Sequence, residues 1–80
     1  MKTREAIVHR IEELIEHEGI TINYLATLSA VPPTTIKNII YGNTLNPGIV
    51  TIAKLCDGLG ITLKEFFKSD IFANLEQEIE

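Results

Sequence analysis

Residues 21–43 read TINYLATLSAVPPTTIKNIIYGN, and the reading of this stretch decides the fold. Thr21 is a residue type that caps helices, because its hydroxyl can accept from an amide of the first turn. Leu25, Ala26 and Leu28 then predict a short helix over 22–29 with those three side chains buried. Ala30-Val31-Pro32 breaks it. Pro33 suits a first helical position, where its fixed φ is already helical and its missing N–H would find no partner anyway. A second short helix follows over about 33–41, and Gly42 ends it. Two short helices joined by a tight turn make a helix-turn-helix.

The flanks read in the same way. Thr3 is positioned to cap a helix over about 4–18, with Ile7, Ile11, Leu14 and Ile15 forming one stripe. Gly19 followed by Ile20 is a helix stop with its apolar contact. Residues 43–46 read as a loop. Asn46 can then cap a fourth helix with Pro47 first, running to Leu59, and Ile49, Ile52, Ala53, Leu55, Cys56 and Leu59 form a wide apolar face. Gly58 reads as an internal defect costing about 1 kcal/mol. Thr62 caps a fifth helix over about 63–68 that buries Phe66 and Phe67. Ser69 can open a last one, with Ile71, Phe72, Leu75 and Ile79 as its stripe and Glu76, Glu78 and Glu80 outward. No segment alternates with period two. The expectation is therefore an all-α, compact five-helix bundle with an extra C-terminal helix. Residues 1–68 would form the domain and residues 69–80 a short acidic helix or tail. Its stripe would either pack back or form the seam of a homodimer.

Residues 21–43 resemble the helix-turn-helix of the lambda-repressor-like (XRE, or Cro-type) transcriptional regulators. Thr21, Leu25-Ala26, Val31, Thr35-Ile36, Ile39 and Gly42 carry the resemblance. It continues through NPGIVTIAKLCDGLGITLKEFF at 46–67, similar to that family's fourth and fifth helices, and covers residues 4–68. The resemblance implies a five-helix bundle that binds a double-stranded DNA operator through its third helix. It also points to phosphate contacts at the start of the second helix and in the loop before the fourth. Ile22 stands where the family commonly has a DNA-contacting Gln, Ala30 where Gly is usual, and Pro32 where a Ser cap is usual. Tyr41 and Asn43 replace frequent basic residues.

The third helix carries a reading face on its own physics. At about 100° per residue, Ile39 and Ile40 fall within roughly 60° of Ile36, and these three face the core. Lys37, Tyr41, Thr34 and Asn38 fall opposite. Lys can reach guanine N7 and O6, Asn can pair bidentately with adenine, and Thr can touch a thymine methyl or a phosphate. Pro33 stands at the helix start, the end that enters the major groove in this motif. Pro33, Thr34, Lys37, Asn38 and Tyr41 are thus the candidates for base reading. Thr21, Asn23, Asn43, Thr44 and Asn46 are the candidates for phosphate, as helix-start or loop donors.

Eighty residues make one domain. The net charge of −4 seems to oppose DNA, but its distribution does not. All eleven acids lie in residues 1–18 and 57–80. The stretch from Gly19 to Cys56 holds Lys37, Lys54 and no acid, with many Thr and Asn side chains that can approach phosphate without repulsion. Cys56 alone excludes an internal disulfide and a cysteine zinc site, and points to a reducing cytoplasm. His9 and His17 have no partner at metal spacing. No apolar run approaches a membrane span and the charged start is unlike a signal peptide. No phosphate loop, hydrolase elbow or carboxylate–histidine set points to an enzyme, and no cofactor or small-molecule ligand is implied. The other expectation is an antitoxin-like or adaptor module that keeps the fold for protein interaction. The acid-free middle favours DNA.

Overall fold

Five helices follow one another in the computed structural model, which describes residues 1–44 and 46–79: α1 (Thr3–Glu18), α2 (Ile22–Ser29), α3 (Pro33–Ile40), α4 (Ile49–Leu59) and α5 (Leu63–Phe67). A single 3-10 turn, Asp70–Phe72, comes after them, and no strand occurs among the described residues. The fold is the all-α, five-helix bundle that the patterning predicts. The short helices α2 and α5 are held at their starts by side-chain caps. The Thr21 hydroxyl accepts from the Tyr24 amide at 3.0 Å. Thr62 and Glu65 form a reciprocal box, each side chain accepting the other's backbone N–H at 3.0 Å.

Every helix sends apolar side chains to one core. Ile11 comes from α1, Leu25 from α2, Ile36 and Ile39 from α3, Ile52 and Leu55 from α4, and Phe66 from α5, all essentially inaccessible to water. Arg10 pins α1 to α5. Its guanidinium donates to the Phe66 carbonyl at 2.6 Å and the Glu65 carbonyl at 2.9 Å, and pairs with Glu13. Carbonyls at a helix C-terminus lack intrahelical donors, so a partly buried cation there bonds two of them and complements the helix dipole. Burial pushes the Cys56 thiol up from its ordinary value, and the adjacent Asp57 carboxylate adds to the effect. Cys56 is a neutral core residue.

α2 and α4 share the most extensive helix–helix contact. A β-carbon at Gly58 would lie 2.9 Å from the backbone and side chain of Ser29. Gly58 is therefore the position that lets the end of α2 approach α4, and the expected internal defect is a packing requirement. Ser29 is buried, and its hydroxyl donates to the Leu25 carbonyl at 2.6 Å. One residue later the chain turns through Ala30 at φ 55°, the one non-glycine residue with positive φ among those described. A β-carbon is crowded in that conformation, at about 1–2 kcal/mol.

Several expected details differ. Thr3 is the first residue of α1, not its cap; the Lys2 amide donates to Glu5 at 2.9 Å in the cap role. α3 ends at Ile40, and Tyr41 is its C-cap. α4 starts at Ile49 from an extended Gly48, so Asn46 and Pro47 do not open it. Pro47 is instead half-buried in a hollow it lines with Thr3, Arg4 and Ile7, in the connection between α3 and α4. Ile49 is 55% exposed, and Ala53 and Leu59 are half-buried, because α4 enters the bundle later and its buried face is narrower than the pattern suggests; on α2, Leu25, Ala26 and Ser29 make the buried face and the expected Leu28 is left 44% exposed.

Residues 73–79 are not helical. Phe72 stacks edge-on against Phe67 at 5.0 Å, and Ile71 and Leu75 are half-buried, while Ile79 is 87% exposed. The tail turns back to the start of α1. The Glu76 amide donates to the Met1 carbonyl at 3.1 Å, Lys2 Nζ to the Gln77 carbonyl at 2.6 Å, and the Thr3 amide to the Glu78 carboxylate at 3.2 Å. Free amides at a helix start and nearby cations reward an acidic non-helical tail more than a separate helix would. The expected outward placement of Glu80 and the part of the 43–46 loop at Leu45 lie outside the described residues.

Two measurements check this architecture. Gly58→Ala should destabilise the fold by about 1–3 kcal/mol through overpacking, while Ala30→Gly should stabilise it by about 1 kcal/mol. Thermal unfolding should show opposite Tm shifts, with each kcal/mol worth about 4–8 °C. The hydrogen bond from Thr3 holds the Glu78 carboxyl below its ordinary value. A depressed carboxylate keeps its stabilising contact above the unfolded-state pKa and loses it as pH falls through the folded one. The Thr3 amide resonance should therefore move on acidification with a midpoint below the ordinary carboxylate range, and that movement should vanish in Glu78→Gln.

Candidate nucleic-acid interface

α3 is built with two faces. Ile36 and Ile39 are 0% and 2% exposed and anchor it to the core. Pro33, Thr34, Lys37 and Asn38 are exposed on the other side. The side chains of Thr34, Lys37 and Asn38 make no hydrogen bond among the described residues, so their donors and acceptors are open to an outside partner. The start of the helix has no side-chain cap: the Pro32 carbonyl takes the Thr35 amide at 3.0 Å, and the Thr34 amide remains.

Tyr41 is set apart from that group. It is 68% exposed and stands past the helix end, between two hollows whose other walls come largely from α1. Arg4, Glu5, Val8 and His9 line one, and Glu12, Ile15, Glu16 and Ile22 line the other.

The phosphate candidates fall into three groups. Thr21 and Asn23 are exposed at the start of α2. The Thr21 oxygen is engaged by the Tyr24 amide, which leaves the hydroxyl proton to donate. Asn23 uses its backbone carbonyl for Thr27 Oγ1 at 3.2 Å and keeps its side-chain amide free in water. Asn43 and Thr44 follow α3, but their backbone amides both donate to the Asn38 carbonyl, at 2.9 and 3.1 Å. Anything they offer a phosphate must come from side chains, and Thr44 is half-buried. Asn46 is exposed in a hollow with Thr3, Arg4 and Glu78, and it does not cap α4. The amides that α4 presents are those of Ile49 to Thr51, because Gly48 supplies no side-chain cap.

Folding also changes the electrostatic picture. Along the chain the candidate residues lie in an acid-free stretch. In space Glu12 and Glu16 of α1 stand beside Ile22 at the start of α2, and Arg4 and Glu78 stand beside Asn46. These four residues were not candidates from sequence. Their proximity depends on how α1 crosses α3 and on where the tail runs, and periodicity within one helix carries neither. The arrangement can present a few neutral donors and one exposed lysine, Lys37, on a rigid helix. Among the described residues no three His, Cys, Asp or Glu side chains gather as a metal site, and no helix is long and apolar enough to cross a membrane.

The chain matches the family model described as "Helix-turn-helix" over residues 11–66. It is also similar to the crystal structure of the prophage Lp1 protein 11, with a TM-score of 0.76 and 37% sequence identity, over 86% of this chain and 92% of that one. No curated protein matches it.

The cap that fixes the start of α2 can be tested alone. Thr21→Ala should cost about 1 kcal/mol of stability, read by denaturant unfolding, whereas Thr21→Ser should stay within a few tenths of a kcal/mol of the parent.

Proposed function

The chain belongs to the helix-turn-helix family of lambda-repressor-like (XRE) DNA-binding regulators, and from that premise we propose that it reads a specific double-stranded operator in the cytoplasm and represses transcription by occupying it. α3 enters the major groove with its Pro33 end leading. Lys37 and Asn38 contact base edges, and Thr34 touches a thymine methyl or a phosphate. Tyr41 reaches the edge of the same site. Thr21, Asn23, Asn43, Thr44 and Asn46 set the helix against the backbone as neutral donors, together with the helix-start amides. Two copies related by a two-fold axis would read a palindromic operator, one half-site each. The observation that carries the reading is the division of α3 into a buried isoleucine face and an exposed polar face with no partner among the described residues.

A second reading, an interaction module that keeps the fold, is favoured by one observation. Glu12 and Glu16 stand at the edge of the interface beside Ile22, where a phosphate backbone would be repelled.

Selection from a random duplex library, followed by anisotropy titration across salt concentrations, tests the first reading. An enriched sequence is expected. Its affinity should fall with salt on a shallow slope, since each neutralised phosphate contributes about −0.9 and the face has one exposed lysine. Asn38→Ala should cost about 1–3 kcal/mol and relax discrimination at one position, and Lys37→Ala should weaken binding as well. No enrichment at low salt overturns the DNA reading. Normal binding by both variants overturns the assignment of the reading face.

A further inference from the structure

The two hollows that flank Tyr41 share that residue and Ile40, so they join into one groove between α1 and the end of α3. The groove follows α1 from Arg4 to Glu16, roughly 18 Å at 1.5 Å per residue, or about three helical turns. Its floor is apolar. Ile15, Ile22 and Ile40 are half-buried and pack against the core with their outer surfaces open, and Tyr41 is 68% exposed. At the Ile22 end its polar rim is acidic: Glu12 and Glu16 are exposed there, and no Lys, Arg or His lines that hollow.

We propose that this groove is the docking site for a basic amphipathic helix of a partner protein. A floor about three turns long, acidic at its Ile22 end and lined by Arg4, Glu5 and His9 at the other, matches a helix with an apolar stripe whose lysines or arginines lie toward the Ile22 end. DNA does not fit it, because Glu12 and Glu16 would face the phosphates, which also lack an apolar surface to lay on the isoleucines. Ile22 and Tyr41 belong both to the groove and to the edge of the DNA-binding face. A helix seated there would sit against one flank of a bound duplex, so the partner would modulate operator occupancy. The groove itself stands independently of the DNA reading.

The probe is a synthetic peptide of about 14 residues, long enough to cover the groove, with leucines on one helical face and lysines on the other. Oligolysine of equal charge is the control. In titrations of the isotope-labelled chain, the peptide should shift amide resonances along the groove and oligolysine should not. Glu12→Lys with Glu16→Lys, both at exposed positions, should weaken the peptide at least tenfold while DNA affinity is kept or raised. Absence of DNA binding by the parent chain, with its peptide binding present, counts against the DNA reading alone. The docking proposal is overturned by any of four results: no peptide binding, an equal footprint from oligolysine, a footprint elsewhere, or a double variant that binds the peptide as well as the parent. A duplex-DNA footprint that runs along Val8, Glu12 and Ile15, beyond the shared edge at Ile22 and Tyr41, overturns it too, as does self-association of the chain that the same double variant abolishes, since either result assigns the groove a different occupant.

Discussion

Position 58 has no room for a β-carbon, and the point where α3 begins follows from that. The end of α2 rests on α4 at Ser29, close enough that an added methyl would meet backbone atoms at 2.9 Å. Backbone held that closely cannot slide, so the point where α2 stops is fixed by α4. The turn must begin at the next residue, and it does, with Ala30 in the left-handed region. Val31 then drops into the core and Pro33 starts α3. The point where α3 can begin is thus set by a contact to which α3 contributes no atom, and its own isoleucines then hold it to the core. A glycine at 58 gives up helix propensity to make that contact possible, and an alanine at 30 accepts strain to follow it.

Much of this was legible in the sequence because it is local. The bounds of α2, the start of α3 at Pro33 and the cap at Thr62 are written in residue types whose chemistry acts within one turn. What was not legible depended on distant partners. Asn46-Pro47 satisfies every local rule for a helix start, yet α4 begins two residues later because Pro47 is used against α1. Ile71, Phe72, Leu75 and Ile79 satisfy the rule for an amphipathic stripe, yet the segment is drawn out by the amides and cations at the start of α1. Gly58 is the clearest case. Its cost within a helix is visible from sequence, and its reason, the backbone of Ser29, lies on another helix.

The candidate interface divides along the same line. Which side of α3 faces outward follows from its isoleucines, and Thr34, Lys37 and Asn38 stand where the period puts them. What surrounds them does not follow. The absence of acids between Gly19 and Cys56 is a property of the chain, whereas a phosphate responds to distance in space, within a Debye length of about 8–10 Å. α1 brings Glu12 and Glu16 to one edge of that acid-free surface. The charge map of the folded domain therefore has a polar neutral centre and an acidic flank, where the linear map showed a neutral middle and acidic ends.

That map separates the duties of the two faces of α3. A helix whose inward residues alone hold it in place leaves its outward residues without a structural role. Ile36 and Ile39 do the holding here, and Thr34, Lys37 and Asn38 neither bury apolar surface nor bond to the rest of the described protein. Exposed polar side chains of that kind can change without cost to the fold, so their identities answer to whatever meets them outside. The flank is different. Ile15, Ile22 and Ile40 still pack against the core with one side while the other stays open between glutamates. Apolar surface left open beside a charged rim is stabilised only when something covers it. A domain with so few cations cannot obtain tight DNA binding from charge alone. On the proposed reading its grip on DNA rests on fit at the α3 face, and a contact made at the adjoining flank would be well placed to change that fit.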